Sequence, residues 1–328
     1  MTQDHGSILL IRMTSLGDII LTLPAIRAIR QHFSLHHVTM LTSLEYIDLV
    51  SEIPYLDEII TFDRRGGELT ETIRVVRRLR KRKFDLVIDL HGKFRTRLLS
   101  RLSGGRQRIG SRRDAYPPNT HTIDDHFHLL STIGIQANDR SLEFYVTTAN
   151  QCFAHELLSE KLLLDGQLKI GIFPGAAWDY KCWPADRFAE VADRMGKQYN
   201  AAILLFGGPA EAELVNQVRD SMQTDPILFG TNLQLGQLAA LISCCDQFVS
   251  NDTGPAHIAV ALGVPTIVLF GVTNHLKFGP LDLIHTVIRY DDSLDRSKGS
   301  DIMRLITADE VWEIAEEKLN ALDKKKHQ

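Results

Sequence analysis

The chain reads as α/β: two doubly wound domains, each a parallel sheet covered by helices on both faces. Three observations lead there. Short apolar runs, among them Ile8–Ile11 and Thr266–Phe270, alternate with longer amphipathic stretches, the pattern of successive βαβ units. That alternation lapses in the polar residues Thr147–Asn150 and then starts afresh. The length, 328 residues with 44% hydrophobic and 24% charged, suffices for two separate cores. The expected division is 1–150, 151–305, and a C-terminal helix with a basic tail, 306–328, packing back on the first domain.

In the first half, Ile8–Ile11 is a wholly apolar strand, as expected where both faces of a sheet are covered. Met13–Asp18 turns the chain into a helix within Ile19–Gln31, which Pro24 must kink or delay. Strands are expected at Val38–Thr42, Glu58–Phe62, Phe84–Leu90 and Arg106–Ile109. Helices are expected at Leu69–Arg82, after Arg95 to Leu102, and at Thr122–Ile133, with Leu142–Val146 extended. Ser111–Thr122, which holds Pro117-Pro118, reads as a loop. The helix Cys152–Leu164 fits either domain.

The second half repeats the theme. Lys169–Phe173, Ala202–Phe206, Gln247–Ser250, Thr266–Phe270 and Thr286–Arg289 read as strands. Helices fit Ala185–Gln198, Glu211–Met222, Leu235–Cys244 and, after the cap candidate Thr307, a charged stretch to Leu322. The stretch 249–280 is the most informative. Asn251-Asp252-Thr253-Gly254 turns from a strand into a helix, Pro255 suits its first turn, and Gly263 ends it. Free amides and the positive end of the dipole make that helix start a seat for phosphate. Asp252 would repel a phosphate, so it should face sugar hydroxyls or backbone; as plain helix caps, Asp252 and Thr253 need no ligand at all.

Ligands of open α/β sheets gather at the carboxyl ends of strands. Four polar, glycine-bearing loops are expected there: around Asp18, at His91-Gly92, at Gly175–Lys181 and at Asn251–Gly254. The first two belong to one domain and the last two to the other, so a cleft between the domains is the expected site. The first turn lacks G-x-G-x-x-G, which counts against a dinucleotide-dependent oxidoreductase.

Charge is unevenly spread. The net charge is −4, yet residues 64–113 hold seventeen Lys or Arg against Glu68, Glu71, Asp85 and Asp89. Such a basic face suits an acidic substrate, a nucleic acid or an anionic membrane, or is a solvated helix surface. Nucleic acid is disfavoured, because Phe84 and Phe94 are thin support for base stacking. Cys152, Cys182, Cys244 and Cys245 have no metal-ligand spacing and fit a reducing compartment. The N-terminus lacks a signal-peptide core and no apolar run spans a bilayer, so a cytoplasmic protein, peripheral at most, is expected.

Four ordered blocks carry a family likeness: Leu9-Leu10-Ile11-Arg12 with Ser15-Leu16-Gly17-Asp18 and Leu23-Pro24-Ala25; Asp85–Gly92; Pro174-Gly175-Ala176 with Lys181-Cys182-Trp183-Pro184; and Asp252–His257. Together they resemble glycosyltransferase family 9, the bacterial lipopolysaccharide heptosyltransferases of GT-B architecture, two Rossmann-like domains facing a central cleft. The resemblance implies inverting transfer of heptose from ADP-heptose to a hydroxyl of the lipopolysaccharide inner core, with no obligatory metal and no cofactor. Residues 1–150 would bind the acceptor and 151–305 the nucleotide-sugar donor. Asp18 matches the family's general base and Lys181 the lysine that offsets charge on the departing diphosphate. Asp252, Thr253, Gly254 and His257 match the donor loop, Gly175 and Ala176 the loop before Lys181, and Glu211 an acid that would hold the adenosine ribose.

Lys93, Arg95, Arg97, Arg112 and Arg113 are the acceptor-side candidates, since an inner-core acceptor bears Kdo carboxylates and lipid A phosphates. That acceptor sits at the cytoplasmic face of the inner membrane, where a basic surface would favour peripheral contact. Two departures stand out: His91 replaces the glutamine of many relatives, and Ala176-Ala177-Trp178 lacks hydroxyls that some place near the phosphates. Each assignment has a plainer counterpart. Asp18 caps a helix, Lys181 is a solvated lysine, His257 a satisfied core histidine, and Glu211 a first-turn acid favoured by the dipole. The same fold with another nucleotide sugar, or a binding protein without turnover, are the competing functions.

Overall fold

The computed structural model describes residues 6–111, 116–161, 166–230, 232–290 and 296–326. These form two compact units, Met1–Tyr145 and Val146–Gln328. The first holds β1 (Ser7–Ile11), β2 (His37–Ser43), β3 (Glu58–Phe62), β4 (Leu86–Asp89) and β5 (Gln107–Gly110). They make one parallel sheet in the order β3-β2-β1-β4-β5. The chain thus builds outward from β1 to β3, returns, and adds β4 and β5 on the other side.

The second unit holds β6 (Lys169–Phe173), β7 (Ala202–Leu205), β8 (Ile227–Leu228), β9 (Gln247–Asn251), β10 (Thr266–Leu269) and β11 (Thr286–Ile288). Its parallel sheet runs β11-β10-β9-β6-β7-β8 and reverses between β6 and β9. Each reversal is a topological switch point, where neighbouring connections leave toward opposite faces and open a crevice at the strands' carboxyl ends.

The cores follow from the apolar runs. Leu9, Ile11, Leu41, Phe62, Val75 and Phe84 are shut inside the first unit; Ile170, Ile172, Trp183, Phe188, Val249 and Ile267 inside the second. Helix Thr148–Glu160, which the sequence left open between domains, packs on helix Leu235–Ser243 of the second unit. Helix Ala308–Lys326 begins in a reciprocal cap, Thr307 N donating to Glu310 Oε2 at 2.8 Å and Glu310 N to Thr307 Oγ1 at 3.2 Å. Its Val311, Ala315 and Leu319 lie in the second unit's core. By its core contacts this helix belongs to the second unit.

One difference has a local cause. The helix expected within Ile19–Gln31 is two, Leu16–Ile20 and Leu23–His32, with Pro24 in the first turn of the second, where its missing N–H costs nothing. The stretch 142–146 pairs with no strand among the described residues. Side chains hold it instead, Glu143 accepting from Arg27 Nη1 at 2.8 Å and from Tyr145 Oη at 2.5 Å. Ser7–Gly110 otherwise follows the expected order of elements, with ends displaced by a residue or two.

Candidate functional site

The first unit's switch point sets β1 against β4, with Ile11 level with Asp89. Past the end of β1, Arg12 is buried and reaches two ways. Its Nη2 pairs with Asp18 Oδ1 at 2.6 Å, and its Nη1 donates to Leu90 O at 2.6 Å. Ser15 N and Oγ donate to Asp18 Oδ2 at 2.9 and 3.2 Å. Asp18 therefore does cap its short helix, and Arg12 holds the same carboxylate on the other oxygen. With about a third of the side chain exposed, the carboxylate remains open to solvent.

The groups around Arg12 are tuned by burial. Burial pushes the Arg12 guanidinium below its ordinary value, while Asp18 and Asp89 pull it back up. Burial raises Asp89, whose Oδ1 accepts from the amides of His91 and Gly92 at 3.0 Å each. Gly92 sits at φ +68, and a β-carbon there would lie 2.6 Å from Ser111 O, so glycine is required for this turn. Burial, then the Arg12 charge, lowers His91 to about 4 and His126 to about 3. Both imidazoles are neutral at pH 7. One buried cation thus faces one buried and one half-open carboxylate among neutral rings.

Among the acceptor-side candidates, Lys93 and Arg95 line a pocket of about 640 Å³ with Met13, Thr14, Arg64 and His91. Arg95 also pairs with Glu68 and lies over the Phe62 ring, 5.7 Å from its centroid. Arg97 lines a different depression of about 540 Å³, with Arg101, Arg108 and Ser111. The five cations proposed as one group are thus not all together: Arg97 is on another pocket, and Arg112 and Arg113 lie outside the described residues.

In the second unit the switch point sets β6 beside β9, with Phe173 level with Ser250. Asn251, at the end of β9, clamps the loop after β6. Its Nδ2 donates to Pro174 O at 2.6 Å, and its Oδ1 accepts from Trp183 N at 3.1 Å. Trp183 is fully buried, edge-on to Phe188, with Nε1 donating to Ile306 O at 2.9 Å. Lys181, two residues before this anchor, pairs with Asp252 at 2.8 Å from Nζ to Oδ2. His257 Nε2 lies 3.9 Å from Asp252 Oδ1. Thr253 is the N-cap of helix Gly254–Ala261, so Asp252, Thr253, Gly254 and His257 surround one helix start.

Gly175 and Glu211 are in contact. A β-carbon at 175 would lie 2.2 Å from Glu211 Cγ, and Glu211 Oε2 accepts from Gly208 N at 2.8 Å. Gly175, Ala176, Lys181, Glu211, Asp252, Thr253, Gly254 and His257 therefore occupy the carboxyl ends of β6, β7 and β9 in one unit. Arg12, His126 and Asn251 went unassigned in the sequence. The available signals were an arginine closing an apolar strand, a histidine on the apolar stripe of a helix, and an asparagine one residue before Asp252.

A pair of cationic and anionic side chains at a helix start, on a Rossmann-like sheet without the dinucleotide glycines, suits a phosphorylated sugar donor. A model of glycosyltransferase family 9 (heptosyltransferase) matches residues 72–302. The lipopolysaccharide core heptosyltransferase OpsX of Haemophilus influenzae is 25% identical over 317 residues, 91% of this chain and 88% of that protein. The crystal structure of the glycosyl transferase family 9 from Veillonella parvula superposes with a TM-score of 0.88 at 29% identity, over 98% of this chain and 99% of that one. The structure of the Escherichia coli ADP-heptose LPS heptosyltransferase II gives 0.79 at 22% identity, over 98% and 100%. The fold is GT-B, the protein is a glycosyltransferase, and the chain belongs to glycosyltransferase family 9 (heptosyltransferase).

Proposed function

We propose that this chain transfers heptose from ADP-heptose to a hydroxyl of the lipopolysaccharide inner core with inversion at the anomeric carbon. The observation that supports this most is the Lys181–Asp252 pair at the start of helix Gly254–Ala261. Lys181 neutralises Asp252, which removes the repulsion that a lone carboxylate would offer to a diphosphate. An ammonium has three donors, so the Asp252 contact does not exhaust Lys181. The amides at Thr253 and Gly254 would take phosphate oxygens, Asp252 and His257 the heptose hydroxyls, and Glu211 the adenosine ribose beside Gly175 and Ala176.

In the reaction Asp18 accepts the proton of the acceptor hydroxyl as that oxygen bonds to the anomeric carbon. The bond from that carbon to the β-phosphate breaks, its electron pair leaves on ADP, and Lys181 opposes the charge that develops there. Arg12 and Ser15 fix the plane of the Asp18 carboxylate, so the base is oriented before substrate arrives. Lys93 and Arg95 would meet the acceptor's carboxylates or phosphates, with Arg97 beyond them. Such an acceptor is membrane-borne, which places the enzyme at the cytoplasmic face of the inner membrane as a peripheral protein. No helix among the described residues is long and apolar enough to cross a membrane.

Calorimetric titration with ADP, UDP, NAD and a non-hydrolysable ADP-heptose analogue tests the donor. Binding of ADP and the analogue, weakened by Lys181→Ala and by Asp252→Ala, is expected. A preference for UDP would keep the fold and replace the donor. Binding of NAD alone would overturn the reading.

A further inference from the structure

Two neighbouring helices of the first unit carry apolar side chains on the side away from the core. In helix Glu68–Arg82 the buried residues are Glu71, Val75 and Leu79, yet Leu69 is 75% exposed and Ile73, one turn on, is also exposed. In helix Phe94–Leu102 the buried residues are Thr96, Leu99 and Ser100, yet Phe94 is 85% exposed and Leu98 is exposed one turn on. Residues four apart share a helix face, so each helix presents an apolar pair. The pairs adjoin: Leu69, Phe94 and Leu98 line the same pocket, and the Glu68–Arg95 ion pair ties the two helix starts together. Single exposed apolar residues are ordinary, but a contiguous set is not.

The surroundings are cationic. Arg64 and Lys93 flank the pocket, Arg77 and Arg80 continue the Leu69–Ile73 stripe, and Arg97 and Arg101 follow Phe94 and Leu98. The nearby acids are already paired or buried: Glu68 with Arg95, Glu71 with Arg74, Asp85 with Arg106, and Asp89 under two amides. Solvent therefore meets an apolar patch inside a ring of positive charge. A nucleic acid would match the ring but not Leu69, Ile73 and Leu98, which cannot stack on bases. An anionic bilayer matches both, offering phosphates to the ring and hydrocarbon to the patch.

We propose that this face seats the protein on an anionic lipid bilayer. Leu69, Ile73, Phe94 and Leu98 enter the boundary between headgroups and acyl chains, and the ring cations meet lipid phosphates. The proposal deepens the reading of a membrane-borne acceptor, and rests on it only for a bilayer being at hand. Vesicles without any lipopolysaccharide test it alone, while the donor titration tests that reading.

The full chain is co-sedimented with vesicles of phosphatidylglycerol and phosphatidylcholine, and with phosphatidylcholine alone. Binding to the anionic vesicles only is expected, falling with salt by about fivefold for each cation screened. Phe94→Asp and Leu69→Asp should each lower partitioning by about tenfold or more. Both side chains are solvent-facing, so the folded state tolerates the change, and circular dichroism checks this. Leu283→Asp, at another exposed leucine in the second unit, should bind as the parent does. In a Phe94→Trp chain, brominated acyl chains should quench the added fluorescence. Absence of binding to anionic vesicles, equal loss with Leu283→Asp, or unaltered binding by Phe94→Asp would each overturn the proposal.

Discussion

Acidification from pH 7.5 to 5 should weaken the first unit more than the second. The perturbation acts on histidines held neutral by burial: His126 near 3, His91 near 4, and His285 of the second unit near 4, all lowered from 6.5. Below 6.5 the unfolded chain takes up protons that the native rings refuse, so stability is lost as pH falls, at about 1.4 kcal/mol per pH unit for each ring. At pH 5 this is about 2 kcal/mol for His126. For half-buried His91 solvent reduces it to about 1–2 kcal/mol, while His285, which is buried, keeps about 2 kcal/mol. The first unit then loses about 3–4 kcal/mol, the second about 2. Asp89, raised by burial, works the other way: its native carboxyl takes up a proton before the unfolded one does, so it gains stability as pH falls. Asp57, Glu58 and Glu71 are lowered below 3.8–4.5, so their contribution is present above those values and is lost only at more acid pH.

Urea titrations at pH 7.5, 6 and 5 separate the units, because all three tryptophans, 178, 183 and 312, lie in the second. The midpoint read by far-ultraviolet circular dichroism should fall more than the midpoint read by tryptophan fluorescence. His126→Leu should remove about 1.4 kcal/mol per pH unit from the first unit's slope, whatever it does to absolute stability. A flat response in circular dichroism, or a larger shift in fluorescence, would refute the argument that His91 and His126 are held neutral beside Arg12.

Other substitutions probe the two switch points. Asp18→Ala should leave donor binding near that of the parent and reduce turnover by about two to four orders of magnitude, the usual scale for a general base; full turnover in a transfer assay removes Asp18 from that role. Asn251→Ala strands the buried Trp183 N–H and Pro174 carbonyl, and should cost about 2–5 kcal/mol in urea denaturation. Gly175→Ala drives a β-carbon into Glu211 and should cost about 1–3 kcal/mol. In the double variant with Glu211→Ala the two losses should add to clearly less than their sum, since one relieves the other.

Much of this architecture was legible in the residues. Ile8–Ile11, Ile170–Phe173 and Ile267–Phe270 are apolar on both faces, as strands of a covered parallel sheet are. Thr307 with Glu310, Pro24 and Gly263 mark helix ends because each satisfies or releases backbone groups locally. The loops bearing Asp18, Lys181 and Asp252 could be assigned to strand ends for the same reason, and their order along the chain carried the family likeness.

Periodicity, however, records only which face of an element is buried, not what it meets. That β1 lies beside β4, and β6 beside β9, was decided by packing across more than seventy residues of chain. From those two adjacencies come the Arg12–Asp18 pair held against Leu90, the buried His126, the Asn251 clamp on Pro174 and Trp183, and the contact of Lys181 with Asp252. The same packing separated Arg97 from Lys93 and Arg95, which sequence alone had grouped by charge. Local sequence determined the elements and the chemistry they carry. The tertiary structure determined which of those groups come within hydrogen-bonding reach, because distance in a folded chain is set by which apolar faces pack together.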